Sequence, residues 1–245
     1  MNVLIPMAGR GKRFSNVGYD LPKPLIKIDH RTMLEHAINT LDIDGEYVFI
    51  VREYENRDYN REVKSILRKS KPNCKILLID YITEGPACSA LLARDYINND
   101  QELVIANCDQ IMWWSGNRFI DYVRSNNFDG AVVTYTTDTP KNSYAKVDLK
   151  GNVVEIAEKK VISNIGLNGI HYWKRGQDFI DSAEEMMKSN DRVNDEFYIA
   201  PTYNYMIKNN KTVGFYHIPN EQHNAVGVPL DLETFLEKAK VYGYF

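Results

Sequence analysis

The stretch Leu4-Ile5-Pro6-Met7-Ala8-Gly9-Arg10-Gly11-Lys12-Arg13-Phe14 sets how the rest of the chain is read. A short apolar strand, Asn2 to Pro6, runs straight into a loop with two glycines and three cations. Glycine lets bare backbone amides approach an anion and the cations neutralise it, so the stretch predicts a phosphate-binding loop at a strand end. A solvated basic edge is the plainer alternative, and the glycines beside the cations tell against it. The basic character is local: Arg10, Lys12, Arg13, Lys23, Lys27 and Arg31 face only Asp20 and Asp29 in the first 31 residues.

Downstream, strand and helix patterns alternate. Tyr47 to Val51 is a continuous apolar run of the kind buried on both faces of a parallel sheet, and a helix is expected from about Asn60 to Lys69. Lys75 to Ile79 is the next strand. The turn Thr83-Glu84-Gly85-Pro86 then opens a helix through Ala87, Ala90, Leu91 and Ala93, with Pro86 at a favoured first-turn position. Glu102 to Ala106 is a further buried strand that ends in Asn107-Cys108-Asp109-Gln110. The β-α-β-α-β-α-β order implies an α/β protein with a doubly wound sheet, mainly parallel. In such sheets ligands bind beyond the carboxyl ends of the strands, where the Ala8 to Phe14 loop, Gly85 and Asp109 all fall.

Between these landmarks, Gly18 to Pro24 carries two prolines, which should exclude helix and hold Lys23 in an extended segment. Leu25 to Ile28 alternates as a short strand. Thr32 can cap a helix showing Met33, His36, Ala37 and Leu41 on one face, where His36 reads as a packing residue. The second half becomes a mixed sheet: Ala131 to Thr136, Ala145 to Leu149, Val153 to Ala157, Ile165 to Trp173 and Val213 to Ile218 read as strands, with Lys150-Gly151-Asn152 as a hairpin turn. Asp178 to Lys188 and Glu196 to Ile207 read as helices. Pro229 opens a last helix whose Leu232, Phe235, Leu236, Ala239 and Tyr242 form a core-facing stripe.

The bulk properties exclude several classes. At 245 residues, 44% hydrophobic and 26% charged, the chain reads as one ordinary globular domain. It contains no apolar run of about 18 residues, so no membrane insertion is expected. Pro6, Gly9, Arg10, Lys12 and Arg13 interrupt any secretory h-region, which places the expected location in the cytoplasm. A net charge of −3 gives no global field for nucleic acid. Cys74, Cys88 and Cys108 have neither zinc-ligand nor disulfide spacing and read as reduced, mostly buried thiols. A strand-end carboxylate beside phosphate-binding amides is suited to Mg²⁺, so Asp109 is the expected metal ligand; a helix cap or Asx turn before Trp113 is its structural alternative.

Ala8-Gly9-Arg10-Gly11-Lys12-Arg13-Phe14 followed by Pro22-Lys23-Pro24-Leu25 resembles the signature of the sugar nucleotidyltransferase family, whose members join a nucleotide to a phosphorylated small molecule and release pyrophosphate. The later landmarks follow in the family's order. Gly85 with Ala87 is similar to its base-side Gly-x-Ala turn, Asp109 to its metal-binding aspartate, and Glu158-Lys159 to its acceptor-binding pair. Gly169-Ile170-His171-Tyr172 resembles the strand after that pair, and Gly227-Val228-Pro229-Leu230-Asp231-Leu232 the Gly-Thr-Pro-x-Asp-Leu that opens the last helix. Ala225 stands where the family often has a second metal-binding aspartate, leaving a single carboxylate or a ligand from Asp195, Glu196 or Asp231. Val228 replaces the family's threonine.

The resemblance implies a Rossmann-like nucleotidyltransferase fold with a smaller mixed-sheet acceptor portion. Residues 1–245 would form a single domain, 1–129 mainly nucleotide-binding and 130–245 mainly acceptor-binding. It implies nucleotide contacts from Met7, Ala8, Gly9, Arg10, Gly11, Lys12, Thr83, Gly85, Ala87 and Asn107. Arg13 would hold the leaving pyrophosphate, Lys23 would bridge the α-phosphate and the acceptor phosphate, and Asp109 would hold Mg²⁺. The acceptor would meet Glu158, Lys159, Asn168, Gly169 and Glu196, the last on a helix start. Within the family, the compact length, the Asn-Cys-Asp-Gln tetrad and the Thr-Glu-Gly turn look more like cytidylyltransferases serving surface polysaccharides and phosphocholine than like the longer hexose-1-phosphate enzymes; the best overall resemblance is to the cytidylyltransferases of capsule phosphoramidate synthesis, which implies CTP and a phosphoglutamine acceptor. The alternatives are a hexose-1-phosphate or phosphocholine nucleotidyltransferase, a metal-dependent glycosyltransferase and a non-catalytic nucleotide-binding protein. A dinucleotide-binding Gly-x-Gly-x-x-Gly fails because Phe14 occupies the third glycine position. The residues leave homo-oligomerisation open.

Overall fold

The structure is a computed structural model and describes residues 1–244. Its sheet runs, edge to edge, through Val153–Glu158, Ser143–Val147, Ile165–Trp173, Leu103–Ala106, Asn2–Met7, Glu46–Arg52 and Lys75–Ile79. Gly130–Thr136 also pairs with Ile165–Trp173 and carries Val213–His217 on its other side. The four strands Leu103–Ala106, Asn2–Met7, Glu46–Arg52 and Lys75–Ile79 are mutually parallel, and Ile165–Trp173 joins them antiparallel. This is the expected α/β architecture with a mixed, mostly parallel central sheet.

Alternation along the apolar strands explains why helices cover both faces. Leu4, Val48, Ile50, Leu103 and Ile105 point into one core with helices Pro86–Leu91, Gly176–Lys188 and Thr202–Lys208. Val3, Ile5, Phe49, Val51 and Val104 point into the other, with Met33–Leu41, Arg57–Ser70 and Gly116–Ser125. Burying such side chains contributes roughly 1.5–3 kcal/mol each, which is why a strand without polar relief stays at the sheet centre. A third cluster joins Phe14, Ile26, Ile28 and Met33 to Ile111, Val226, Leu232 and Phe235. Phe14, 1% exposed, therefore fixes the end of the glycine loop against the last helix, Pro229–Tyr242.

Local signals explain several elements. Thr32 and Glu35 form a capping box: the Glu35 amide donates to Thr32 Oγ1 at 3.2 Å and the Thr32 amide to Glu35 Oε2 at 2.7 Å. His36 is buried on that helix, with Nε2 3.0 Å from the Ile28 carbonyl, as a packing residue should be.

Other expectations need correction. Lys23–Leu25 is one turn of 3₁₀ helix: Pro24 lies in its first turn, where no intrahelical N–H is needed, so two prolines did not exclude helix. The strand expected over Leu25 to Ile28 shrinks to Lys27–Ile28, paired with Arg31–Thr32. The helix expected from Glu196 begins only at Thr202, because Phe197 spends its backbone groups on the Glu84 to Ala87 turn. Tyr242 ends its helix 62% exposed, and all three cysteines are half-buried rather than enclosed.

Candidate active site

A cleft of about 1290 Å³ opens at the carboxyl ends of Asn2–Met7, Glu46–Arg52 and Leu103–Ala106. One wall is the run from Met7 to Arg13. Gly11, at φ 65, turns the loop into the short helix Lys12–Ser15, and Arg10, Lys12 and Arg13 stand exposed along it. Gly9 faces open space: a Cβ there would meet nothing within 4 Å. The protein's own packing therefore does not demand glycine at this position.

Beside Gly11, Lys23 Nζ lies 2.5 Å from Asp109 Oδ2, the two side chains being 18% and 32% exposed. Burial works against both charges. The attraction between them outweighs it, so the Lys23 ammonium titrates above the usual lysine value and the Asp109 carboxyl below the usual aspartate value. Burial pushes the neighbouring Cys108 thiol up to about 11, which keeps it protonated and out of nucleophilic chemistry at neutral pH.

A small ladder completes this corner. His223–Ala225 pairs antiparallel with Gln110–Met112, and the Val226 amide donates to the Asp109 carbonyl at 2.9 Å. Gly227 follows so closely that a Cβ would lie 2.8 Å from Asp109 Oδ2. Ala225 sits directly opposite Gln110, one residue from Asp109, so it adds no carboxylate where one could have helped. Of the three substitutes considered, Glu196 lines the cleft, whereas Asp195 and Asp231 do not. Among the described residues no group of three or more His, Cys, Asp or Glu is arranged to hold a metal.

The Thr83 to Pro86 turn forms a third wall. Thr83 Oγ1 donates to the Gly85 carbonyl at 3.1 Å and lies 2.6 Å from Ser89 Oγ. Gly85, at φ 133, is irreplaceable by geometry: a Cβ would stand 2.5 Å from the Phe197 amide nitrogen and carbonyl oxygen. Ala87 is buried behind the wall, its amide donating to Phe197 O at 3.0 Å, so its side chain does not reach the cleft. Asn107 lines the floor and takes its support from Gly169, whose carbonyl accepts the Asn107 amide at 3.2 Å.

The expected acceptor residues are only partly assembled with this cleft. Glu196 lines it, but Glu158, Lys159, Asn168 and Gly169 lie outside its walls. Burial raises the Glu158 carboxyl above the usual range, against the Ser143 hydroxyl that donates to it and the Lys159 charge. Lys159, at φ 53, holds its ammonium 4.3 Å over the Tyr198 ring and donates to the Tyr198 hydroxyl. Asn168 is buried as a structural residue, accepting the Ile170 amide at 3.0 Å.

Sequence reasoning missed the segment after Glu46–Arg52. Arg52 to Asn56 and Tyr59 line the cleft, with Tyr54 and Tyr59 packed edge to face at 6.3 Å and the Tyr54 hydroxyl raised to about 12, chiefly by burial. The signal was available: this segment follows the carboxyl end of a long apolar parallel strand.

The nucleotidyl transferase family model matches residues 2–216, and the chain belongs to that family. It is 24% identical over 234 residues to the bifunctional protein GlmU of Methanococcus aeolicus, a match covering 95% of this chain and 53% of that protein. The chain thus spans about half the length of the curated relatives it matches. Among solved structures it is similar to the nucleoside-diphosphate-sugar pyrophosphorylase of Vibrio cholerae RC9, with a TM-score of 0.83 and 24% identity over 96% of this chain and 99% of that one. The inositol-1-phosphate CTP transferase of T. maritima shares the fold at a TM-score of 0.73 and 16% identity, covering 98% and 94% of the two chains.

Proposed function

We propose that this protein transfers the nucleoside monophosphate of a nucleoside triphosphate, CTP by first choice, to a phosphorylated small molecule and releases pyrophosphate. The observation that carries the reading is the Lys23 and Asp109 pair lining the same cleft as the glycine loop, with Lys23 packed beside Gly11. A phosphomonoester has its second pKa near about 6, so the acceptor arrives largely dianionic and needs no general base. What remains is alignment and charge neutralisation.

In this reading the amides of Ala8 to Gly11 seat the triphosphate, and Arg13 grips the departing pyrophosphate through its planar fork. Lys23 bridges the α-phosphate and the acceptor phosphate and neutralises oxygens of both as the acceptor oxygen attacks and pyrophosphate leaves. Asp109, the cleft carboxylate beside Gly227, fits a Mg²⁺ held by one carboxylate and substrate phosphates, an ion that prefers oxygen ligands. When bound, such an ion supplies charge stabilisation at the phosphates. Lys23 is then free to turn from Asp109 to phosphate oxygens. Thr83, Gly85 and Asn107 line the nucleotide side and Glu196 the acceptor side, with Glu158 and Lys159 behind it through Tyr198.

CTP comes first because the Asn107-Cys108-Asp109-Gln110 and Thr83-Glu84-Gly85 motifs resemble those of cytidylyltransferases. Phosphoglutamine is the first acceptor to test; phosphocholine and hexose 1-phosphates follow. A pyrophosphate-release screen crossing the four nucleoside triphosphates with these acceptors tests the assignment. The expected result is release that needs both substrates and is fastest with CTP; no release with CTP rejects the nucleotide choice.

A further inference from the structure

The base-side turn and the acceptor-side loop are tied together by one side chain. Arg192 lays its guanidinium 4.0 Å over the Phe197 ring and uses its whole fork: Nε donates to Asn190 Oδ1 at 2.7 Å, Nη1 to the Asp195 carbonyl at 3.1 Å, and Nη2 to the Glu84 carboxylate. Between these anchors, Val193 and Glu196 exchange backbone bonds of 3.0 and 3.1 Å around Asn194 and Asp195, both left-handed at φ 49 and 63. Asn and Asp tolerate that conformation better than other residues, and two in succession between a mutually bonded pair make a tight two-residue turn of the I′ kind. The turn presents Glu196 to the cleft, and Phe197 next to it bonds on both sides of Gly85.

We propose that Arg192 is a positioning residue that locks the Val193 to Glu196 turn onto the Thr83 to Ala87 turn, so that a nucleotide seated at Gly85 orders Glu196 and Tyr198 for the acceptor. The proposal rests on the nucleotidyl-transfer reading for the acceptor half of its test. Arg192 is 28% exposed and does not line the cleft, so it acts through Glu84, Phe197 and the turn. Lysine could keep the charge near Glu84 but could not cover the Phe197 ring and fill three acceptors at once.

The test is hydrogen exchange on the full chain with Mg²⁺ and ATP, CTP, GTP or UTP in turn, followed by steady-state kinetics. In the wild type, at least one triphosphate should slow exchange of amides 193–197 by roughly tenfold, a coupling of ordinary size. Arg192→Ala should abolish that slowing while leaving the Asn2–Met7 strand protected, and should raise the acceptor KM by roughly tenfold with the nucleotide KM within about twofold. Arg192→Lys should recover only part of either effect. Should Arg192→Ala fail to fold, Glu84→Gln, which alters a 66% exposed side chain, is expected to move both readouts the same way by less. Equal slowing in wild type and variant, no slowing with any triphosphate, or nucleotide and acceptor KM rising together overturns the proposal. Absence of pyrophosphate release by the wild type overturns the reading of the reaction instead, while the exchange data still decide the role of Arg192.

Discussion

Lys23 Nζ reaches Asp109 Oδ2 at 2.5 Å across 86 residues of sequence, joining the proline-rich turn after the glycine loop to the end of the fourth parallel strand. Each charge is held in its ionised form by the other, and each faces the cleft. Lys23→Ala and Asp109→Ala should each lower turnover by roughly two orders of magnitude, the usual size for losing one electrostatic stabiliser. Steady-state pyrophosphate release checks this, and near-normal turnover in both purified variants would remove the pair from the mechanism.

Two glycines separate folding from binding. Gly85→Ala places a Cβ against the Phe197 backbone at a strained φ and should cost at least about 2 kcal/mol of stability, seen in denaturant unfolding. Gly9→Ala meets nothing in the protein and should unfold like the wild type, yet bind nucleoside triphosphate at least about tenfold more weakly if phosphate approaches that backbone. Unchanged nucleotide affinity for Gly9→Ala, measured by calorimetry, contradicts the loop assignment.

Ala225 lies beside Asp109 on the ladder that its neighbours form with Gln110–Met112. Ala225→Asp should therefore supply a second carboxylate and lower the Mg²⁺ concentration for half-maximal rate by about tenfold. A Mg²⁺ titration with unchanged midpoint places the ion elsewhere.

His171 and His223 are kept neutral by burial, their imidazoles lowered to about 3 and about 4 from the ordinary 6.5. Because the unfolded chain binds protons first, stability is full above about pH 6.5 and falls as pH drops toward those values. Each histidine contributes a slope of up to about 1.4 kcal/mol per pH unit in that window. His223→Gln should flatten the slope between pH 6 and 4 by up to one proton, read from unfolding free energies across pH; an unaltered slope means His223 is charged in the fold.

The parallel half was legible because its strands are uninterrupted apolar runs and its turns hold Gly and Pro at strand ends. Tyr47 to Val51 and the turn at Gly85 need no tertiary information to be read. Glu196 was misplaced on a helix because its apolar neighbours fit a helical period, whereas Phe197 is committed to Glu84 and Ala87, more than 100 residues away in sequence. The same non-locality hid the contact of Gly227 with Asp109 and the clamp made by Arg192. Sequence order alone could not show that Lys23 answers Asp109, nor that Glu158 and Lys159 stand outside the cleft walls.

Phosphorus NMR of a reaction holding enzyme, Mg²⁺, CTP and a phosphorylated acceptor tests the central claim most directly. Attack at the α-phosphorus predicts pyrophosphate and a cytidylylated acceptor appearing in equal amounts, with both lost in Lys23→Ala. Appearance of CDP, or of inorganic phosphate without pyrophosphate, contradicts it.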